Sequence, residues 1–391
     1  MAPQVAPPPR GFPEDEFAAR TAKAQAAMAA AGIDALLLTT DVELRYFSGF
    51  LTQFWQSPTR PWYMVVPAKG KPMAVIPTIG VDCMAHTWID DIRSWSSPQP
   101  EDDGLTLLAE TLREFAGSAP RLGILKGRET YLRMPVADFE GLQGALPGAT
   151  FVDSTAIFRS LRMVKSPREI TKIAYVCDAA SAAFEAAPRL FHAGQSDIEV
   201  FRAFKVECLS RGVDDVRYLV GGAGQGGYGD IISPPRGREL QDGDVLILDT
   251  GCYFDGYYCD FDRNFAVGRA DDAARRAYEV AWRATEAALA AVRPGATCAD
   301  LFNAMQSVLD AGGALGNDVG RLGHGLGMQL TEWPSHTDWD QTVLQAGMVL
   351  TLEPGMTFAE GKVMVHEENI VVREDCAELL TRRAAPELPA I

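Results

Sequence analysis

Gly243-Asp-Val-Leu-Ile-Leu-Asp-Thr-Gly251 returns 104 residues later as Gly347-Met-Val-Leu-Thr-Leu-Glu-Pro-Gly355. Each stretch is an apolar run of strand length that opens on glycine and runs into a carboxylate, Asp249 in the first and Glu353 in the second. The segments upstream also match. Gly194-Gln-Ser-Asp-Ile-Glu-Val-Phe201 and Gly295-Ala-Thr-Cys-Ala-Asp-Leu-Phe302 both put Phe seven residues after Gly, and each follows a long alanine-rich stretch of helical spacing. Two halves reading helix, turn, helix, strand in the same order predict an internally duplicated α/β unit. A carboxylate at the end of an apolar strand is costly unless something cationic meets it. Its recurrence predicts that the halves face each other and share a cation.

Further donors cluster around these two strands. Asp260 follows Asp249 by eleven residues, across an Asp255-Gly256 hairpin signal that would bring the two carboxylates onto neighbouring strands. Glu353 is followed by Glu367 in Val365-His-Glu-Glu-Asn-Ile-Val-Val372, with Glu360-Gly361-Lys362 as the turn, and Gly323-His324-Gly325 adds one imidazole. The predicted metal ligands are therefore Asp249, Asp260, His324, Glu353 and Glu367. Four carboxylates cannot share a pocket without cations to offset their repulsion. An oxygen-rich set with one nitrogen suits two divalent ions such as Mn, Fe, Co or Zn. Two such ions, roughly 3.5–4 Å apart, would make a shared water nucleophilic near neutral pH and polarise a carbonyl. Of the neighbouring residues, Asp262 reads as an ion-pair partner of Arg263, Asp255 as a turn residue, and His366 as pointing away by strand alternation.

The segments from Asp249 to Arg263, Gly323 to Pro334, Gly347 to Gly355 and Glu367 to Val372 resemble the pita-bread metalloenzymes of peptidase family M24. That family includes methionine aminopeptidase, prolidase, aminopeptidase P, creatinase, ectoine hydrolase and a dimethylsulfoniopropionate lyase. Met163-Val-Lys-Ser-Pro-Arg-Glu-Ile170 looks like the opening of its catalytic domain, and the first 160 residues look like the N-terminal domain of the prolidase and creatinase branch. The resemblance implies that Asp249 chelates one metal, that Asp260 and Glu367 bridge both, and that His324 and Glu353 complete the other shell. It also implies that Glu353 shuttles the proton from nucleophile to leaving nitrogen.

The pattern departs from the family's peptidases at three places. Thr331 stands where a second histidine is expected, Val365 where prolidases carry arginine, and Gly221-Gly-Ala-Gly-Gln-Gly-Gly-Tyr228 where a further histidine lies on a loop. The expected reaction is metal-assisted hydrolysis of a C–N bond in a small amide or Xaa-Pro-like substrate bearing a carboxylate. Glu332-Trp333-Pro334 also resembles the lyase, which makes lyase chemistry the alternative; a metal-free binding module is a further rival. His336 is the candidate stand-in for the missing histidine, against a reading as a solvated loop residue, and Thr331 and His336 join Glu353 and His324 as catalytic candidates. Arg60, in Ser57-Pro-Thr-Arg-Pro-Trp62, resembles a substrate-carboxylate clamp that acts across a dimer in creatinase. Trp55, Trp62 and Trp333 could form an aromatic wall, and the Gly221–Tyr228 stretch reads as a loop lining the cleft, which makes Tyr228 a substrate-binding candidate.

A chain of 391 residues exceeds one ordinary domain. The predicted division is a flexible Pro-rich arm over 1–13, an N-terminal α/β domain over 14–162 and the pita-bread domain over 163–391. Ser166-Pro167-Arg168-Glu169 opens the catalytic part with a capping signature. In the N-terminal part the patterns predict helices over 14–32, 104–116 and 136–145, strands at Ile33 to Thr39 and Leu122 to Leu125, and a hairpin from Tyr63 to Pro67 and Met73 to Pro77. A net charge of -16 argues against nucleic-acid and anionic-lipid partners. Seven cysteines without a CxxC pair read as reduced thiols. Neither a signal-peptide h-region in Met1 to Pro13 nor an apolar run of about 20 residues is present. The expectation is a cytoplasmic homodimer.

Overall fold

The computed structural model describes residues 6–58, 60–316 and 320–391. Residues 1–5 of the predicted arm, and Thr59 beside Arg60, lie outside the described residues. The chain divides into two compact units, Pro9–Arg162 and Met163–Ile391, with residues 6–8 counting with the second.

The N-terminal unit is α/β. Helix Glu14–Ala31 stops at Gly32, whose left-handed φ of 62° no β-carbon has to tolerate. The chain then enters a mixed six-stranded sheet in the order Ile92–Trp95, Met73–Pro77, Tyr63–Pro67, Ala35–Leu38, Arg121–Ile124, Thr150–Asp153. The hairpin pairs antiparallel with Tyr63 opposite Val75, and helices Leu105–Ala116 and Val136–Ala145 contribute Leu108, Leu112 and Leu142 to the core.

The second unit shows the duplication. Helix Pro167–Phe184 opens with a reciprocal capping box between Ser166 and Glu169. The paired later helices, Asp197–Ser210 and Cys298–Ala311, open the same way, through Ser196 with Glu199 and Thr297 with Asp300. Each turn before them hooks onto the run leading into a ligand-bearing strand. Gly194 N–H donates to the Leu240 carbonyl at 2.7 Å and Leu240 N–H returns to Gln195 at 2.9 Å; Gly295 donates to Leu344 at 3.0 Å and Leu344 returns to Ala296 at 2.8 Å.

Among the described residues the first half builds a sheet in which Asp244–Phe254 lies between Phe261–Ala266 and Asp215–Gln225, with Tyr257–Tyr258 paired at its end. The second half builds a five-stranded sheet ordered Glu332–Ser335, His324–Gly325, Val349–Leu352, Glu368–Val372, Ala377–Leu379, and a hairpin of Gly355–Ala359 with Lys362–Val365. Helix Asp272–Ala291 buries Ala274, Ala277, Ala281, Ala284 and Ala288, a one-face stripe of small residues that lets the neighbouring helix and strands approach closely.

Two expectations change. Asp249 is not strand-terminal: its strand runs on through Thr250 to Phe254 because the partner strand Asp215–Gln225 continues to pair with it. Glu353 does follow the last residue of its strand, where Pro354 has no N–H to extend the ladder. The glycine run is not a free loop either. Gly221 to Gln225 belong to strand Asp215–Gln225, and a β-carbon on Gly221, at φ 132°, would come 2.2 Å from the Ile247 carbonyl. These glycines let two backbones pack closely.

Candidate metal centre and active-site cleft

The hairpin geometry brings the first two carboxylates together. Asp255 (φ 46°) and Gly256 (φ 94°) form a tight two-residue turn, and Phe254 pairs with Tyr257. The same register sets Asp262 opposite Asp249 and Phe261 opposite Thr250, so Asp260 lies at the near end of the ladder, diagonal to Asp249. In the second half Leu352 faces Glu368, which leaves Glu353 and Glu367 flanking the end of that ladder. His324 sits on the adjoining short strand, opposite Ser335.

All five predicted donors line one cleft of about 650 Å³ together with Tyr218, Arg321, Leu330, Thr331 and the segment from Gly229 to Ser233. Asp260, His324 and Glu367 are buried, with one donor atom of each lying within 4.8 Å of the others. Asp249 and Glu353 are half-buried. His324 has one chemically consistent tautomer. Its Nδ1 lies 2.8 Å from the Gly325 carbonyl, which can only accept, so Nδ1 carries the proton and the Nε2 lone pair faces Asp260 Oδ2 at 3.5 Å. A β-carbon on Gly323 would lie 2.4 Å from the Thr351 carbonyl and 2.6 Å from the His336 ring, so the backbone beside the ligand histidine must be glycine.

The electrostatics describe a site that wants cations. Burial, then repulsion from Glu353, pushes the Asp249 carboxyl up to about 8. Burial raises Asp260 and Glu367 far above the carboxylate range, with the other acids of the cleft adding to it. Burial also lifts Glu353 to about 7, against a lowering pull from Arg321. Among the described residues Asp249 Oδ1 and Glu367 Oε1 are buried acceptors that receive no hydrogen bond. Orphaned oxygens, an aimed imidazole lone pair and crowded carboxylates fit a divalent metal.

Behind the candidate donors, hydrogen bonds from Asn369 and Arg263 tie the strands together. Asn369 Oδ1 accepts from Asp260 N–H at 2.9 Å, and its amide nitrogen donates back to the Asp260 carbonyl. Arg263 does not pair with the Asp262 carboxylate. Its Nη1 donates to the backbone carbonyls of Asp262 (2.7 Å) and Glu367 (2.9 Å), while Nη2 binds Glu368 Oε2 at 2.9 Å. Asp262 is left buried with one hydrogen bond, from Asn264 at 3.2 Å, and an orphaned Oδ2.

Other predicted residues fall elsewhere. Thr331 is exposed on the cleft wall. His336 is buried and does not reach the cleft; its Nε2 donates to the Thr351 carbonyl at 3.0 Å, and burial depresses its pKa to about 4. Tyr228 lies in the hydrophobic core, its hydroxyl donating to Asn264 Oδ1 at 2.7 Å and accepting from Val365 N–H at 3.0 Å, so the cleft is lined by the residues just after it. Trp333 is half-buried and outside the cleft lining, with its ring 6.3 Å from that of Trp339. Glu332 binds Lys165 at 3.1 Å and caps the N–H groups of Met328 and Gln329. Trp55 and Arg60 line a hollow of about 530 Å³ within the N-terminal unit, where Arg60 lies over Phe54. His366 turns from the cleft to Thr285. Sequence reasoning missed two residues of the cleft wall, Arg321 and Tyr218, whose hydroxyl is pushed up by burial and by the nearby Asp249 carboxylate. Neither carries a periodic signal; strand register places Tyr218, and contacts with Ser335 and Thr331 place Arg321.

Known proteins share this plan. Residues 171–374 match the family described as metallopeptidase family M24, and residues 20–164 match the creatinase/prolidase N-terminal domain. The chain is 29% identical over 384 residues to a probable dipeptidase PepE of Mycobacterium tuberculosis (strain ATCC 25618 / H37Rv), covering 94% of this chain and 95% of that protein. It is 30% identical over 237 residues to a Xaa-Pro dipeptidase of Pyrococcus furiosus, covering 58% of this chain and 65% of that one. The crystal structure of dipeptidase PepE from Mycobacterium ulcerans superposes with a TM-score of 0.84 at 29% identity, over 97% of this chain and 99% of that chain. No helix among the described residues is long and apolar enough to cross a membrane. With over half its length matched by the catalytic-domain family, the chain belongs to metallopeptidase family M24 and is a metallohydrolase of that family.

Proposed function

We propose that the chain is a dipeptidase that hydrolyses the C–N bond of a small carboxylated substrate of Xaa-Pro type, using two divalent ions held by Asp249, Asp260, His324, Glu353 and Glu367. The observation that carries this reading is the convergence of five donors from both halves on one cleft, with the orphaned oxygens of Asp249 and Glu367 among them. The names of the relatives, a probable dipeptidase and a Xaa-Pro dipeptidase, support the substrate class. A cleft of about 650 Å³ suits a ligand of that size.

When bound, the two ions supply an activated water and polarise the scissile carbonyl. Asp249, Asp260, His324, Glu353 and Glu367 would together hold the ions. Glu353 takes a proton from the attacking water as the oxygen adds to the carbonyl carbon, then delivers it to the nitrogen as the C–N bond breaks.

The test is a metal-supplemented screen of proline dipeptides, other dipeptides, ectoine, creatine and dimethylsulfoniopropionate, with bound metal measured on the same samples. Metal-dependent release of proline is the expected result. Sulfide release from dimethylsulfoniopropionate without dipeptide cleavage would replace the reading with a lyase. Under one equivalent of metal and no turnover would leave a binding module.

A further inference from the structure

A carboxylated substrate entering this cleft approaches Asp249, Asp260, Glu353, Glu367 and, on the wall, Asp230. Such a ligand is repelled unless a cation receives its free carboxylate. Among the described lining residues the only lysine or arginine is Arg321. Val365, the position two residues before Glu367, offers no charge and is buried.

Arg321 contrasts with three other arginines of the same unit. Arg263, Arg382 and Arg383, which also run along partly buried surfaces, each hold a carboxylate at 2.6–3.1 Å. Arg321 makes no ion pair with any described residue. Its Nη1 lies 3.2 Å from Ser335 Oγ and its Nη2 3.3 Å from Thr331 Oγ1, two neutral hydroxyls that orient the planar fork without neutralising it. Among the described residues the other N–H groups of this five-donor guanidinium have no hydrogen-bond partner and can meet a bidentate acceptor. Both hydroxyls belong to the segment that pairs with the ligand histidine, since Ser335 is the register partner of His324. The cation is therefore fixed to the same ladder as a metal ligand.

Resting on the dipeptidase reading above, we infer that Arg321, oriented by Thr331 and Ser335, binds the free C-terminal carboxylate of the substrate and so restricts the enzyme to dipeptides. The next residue of a longer peptide would put a neutral amide where the fork needs an anion. Discrimination by a buried charge partner of this kind exceeds what pocket shape alone provides.

The experiment uses the manganese-loaded full chain and two probes that need no turnover, N-acetylproline and its C-terminal amide, with binding measured by calorimetry. Wild type is expected to bind the acid more tightly than the amide, and Arg321→Ala to weaken the acid roughly 10- to 100-fold while leaving the amide unchanged. Arg321→Lys, which keeps charge but loses the fork, should fall between the two. Equal binding of acid and amide by wild type, no binding of the acid, or equal weakening of both in Arg321→Ala overturns the inference. Steady-state kinetics on an Xaa-Pro dipeptide form a separate arm. There Arg321→Ala should raise KM far more than it lowers kcat. If wild type shows the acid preference but no hydrolysis, the dipeptidase reading fails while the carboxylate site stands.

Discussion

Asp249 and Asp262 face each other directly across the ladder between Asp244–Phe254 and Phe261–Ala266, and each has a buried oxygen without a hydrogen bond among the described residues. Like charges opposed on neighbouring strands destabilise a sheet. Here they also focus negative potential beside the cleft. Replacing Asp262 with Asn is expected to stabilise the metal-free protein by about 1–2 kcal/mol and to weaken metal binding at least several-fold. Thermal melts and metal titrations check the two opposite signs.

On the proposed mechanism, loss of one shared donor should remove the site. Asp260→Ala and Glu367→Ala should abolish metal retention and turnover together, read by elemental analysis alongside activity. Glu353→Gln should instead lower kcat by a factor on the order of 10²–10⁴ while some metal remains, because it deletes a proton carrier as well as a ligand. Full activity in any metal-free variant would contradict the metal-dependent mechanism.

The metal-free site should make stability fall as pH rises. The folded carboxyls of Asp249 and Glu353 sit at about 8 and about 7, against ordinary values of 3.8 and 4.5, so between roughly pH 4 and 8 the folded state holds protons that the unfolded chain has released. Their contribution thus favours folding at the acid end of that window and is lost toward pH 8. Bound cations displace those protons, so affinity for Mn²⁺ should rise across the same window with measurable proton release. Melting curves of stripped and loaded protein at several pH values test the crossing trends.

Glu368 shows the opposite sign. Although burial raises it, Arg263 together with the hydrogen bonds from Thr381 and Ala384 holds its carboxyl down at about 2, below the ordinary 4.5. Its contribution, on the order of 3 kcal/mol by linkage, is complete above pH 4.5 and disappears as pH falls through 2. Glu368→Gln should therefore cost about 3–5 kcal/mol at neutral pH, since it leaves Arg263 and Arg383 short of a buried anion. Denaturant unfolding at pH 7 measures it.

The duplication is legible in the sequence because glycine, cap and strand recur in the same order in both halves, and the candidate donors Asp249 and Glu353 stand out because each follows an apolar run of strand length. The capping box at Ser166 and the Gly32 stop are local chemistry and appear where the residue types place them. Contacts between distant segments are another matter. The Gly221 to Gln225 run conceals a strand because alternation cannot be read from residues without side chains, and Tyr228 faces the core although it borders the cleft in sequence. Tyr218 reaches the site only because it pairs with Gly251, two residues from Asp249, and Arg321 only because its fork meets Thr331 and Ser335.

The Asp255-Gly256 tip has a reach well beyond its size. It is moored by the Lys172 ion pair and by Asp214, which accepts from the Asp255 N–H at 2.8 Å. A single codon inserted at that tip would leave composition, caps and core sequence untouched, yet shift every later residue of the hairpin by one pleat and turn the Asp260 side chain to the opposite face. The convergence of the candidate donors is thus vulnerable to an indel at a turn that itself carries no chemistry.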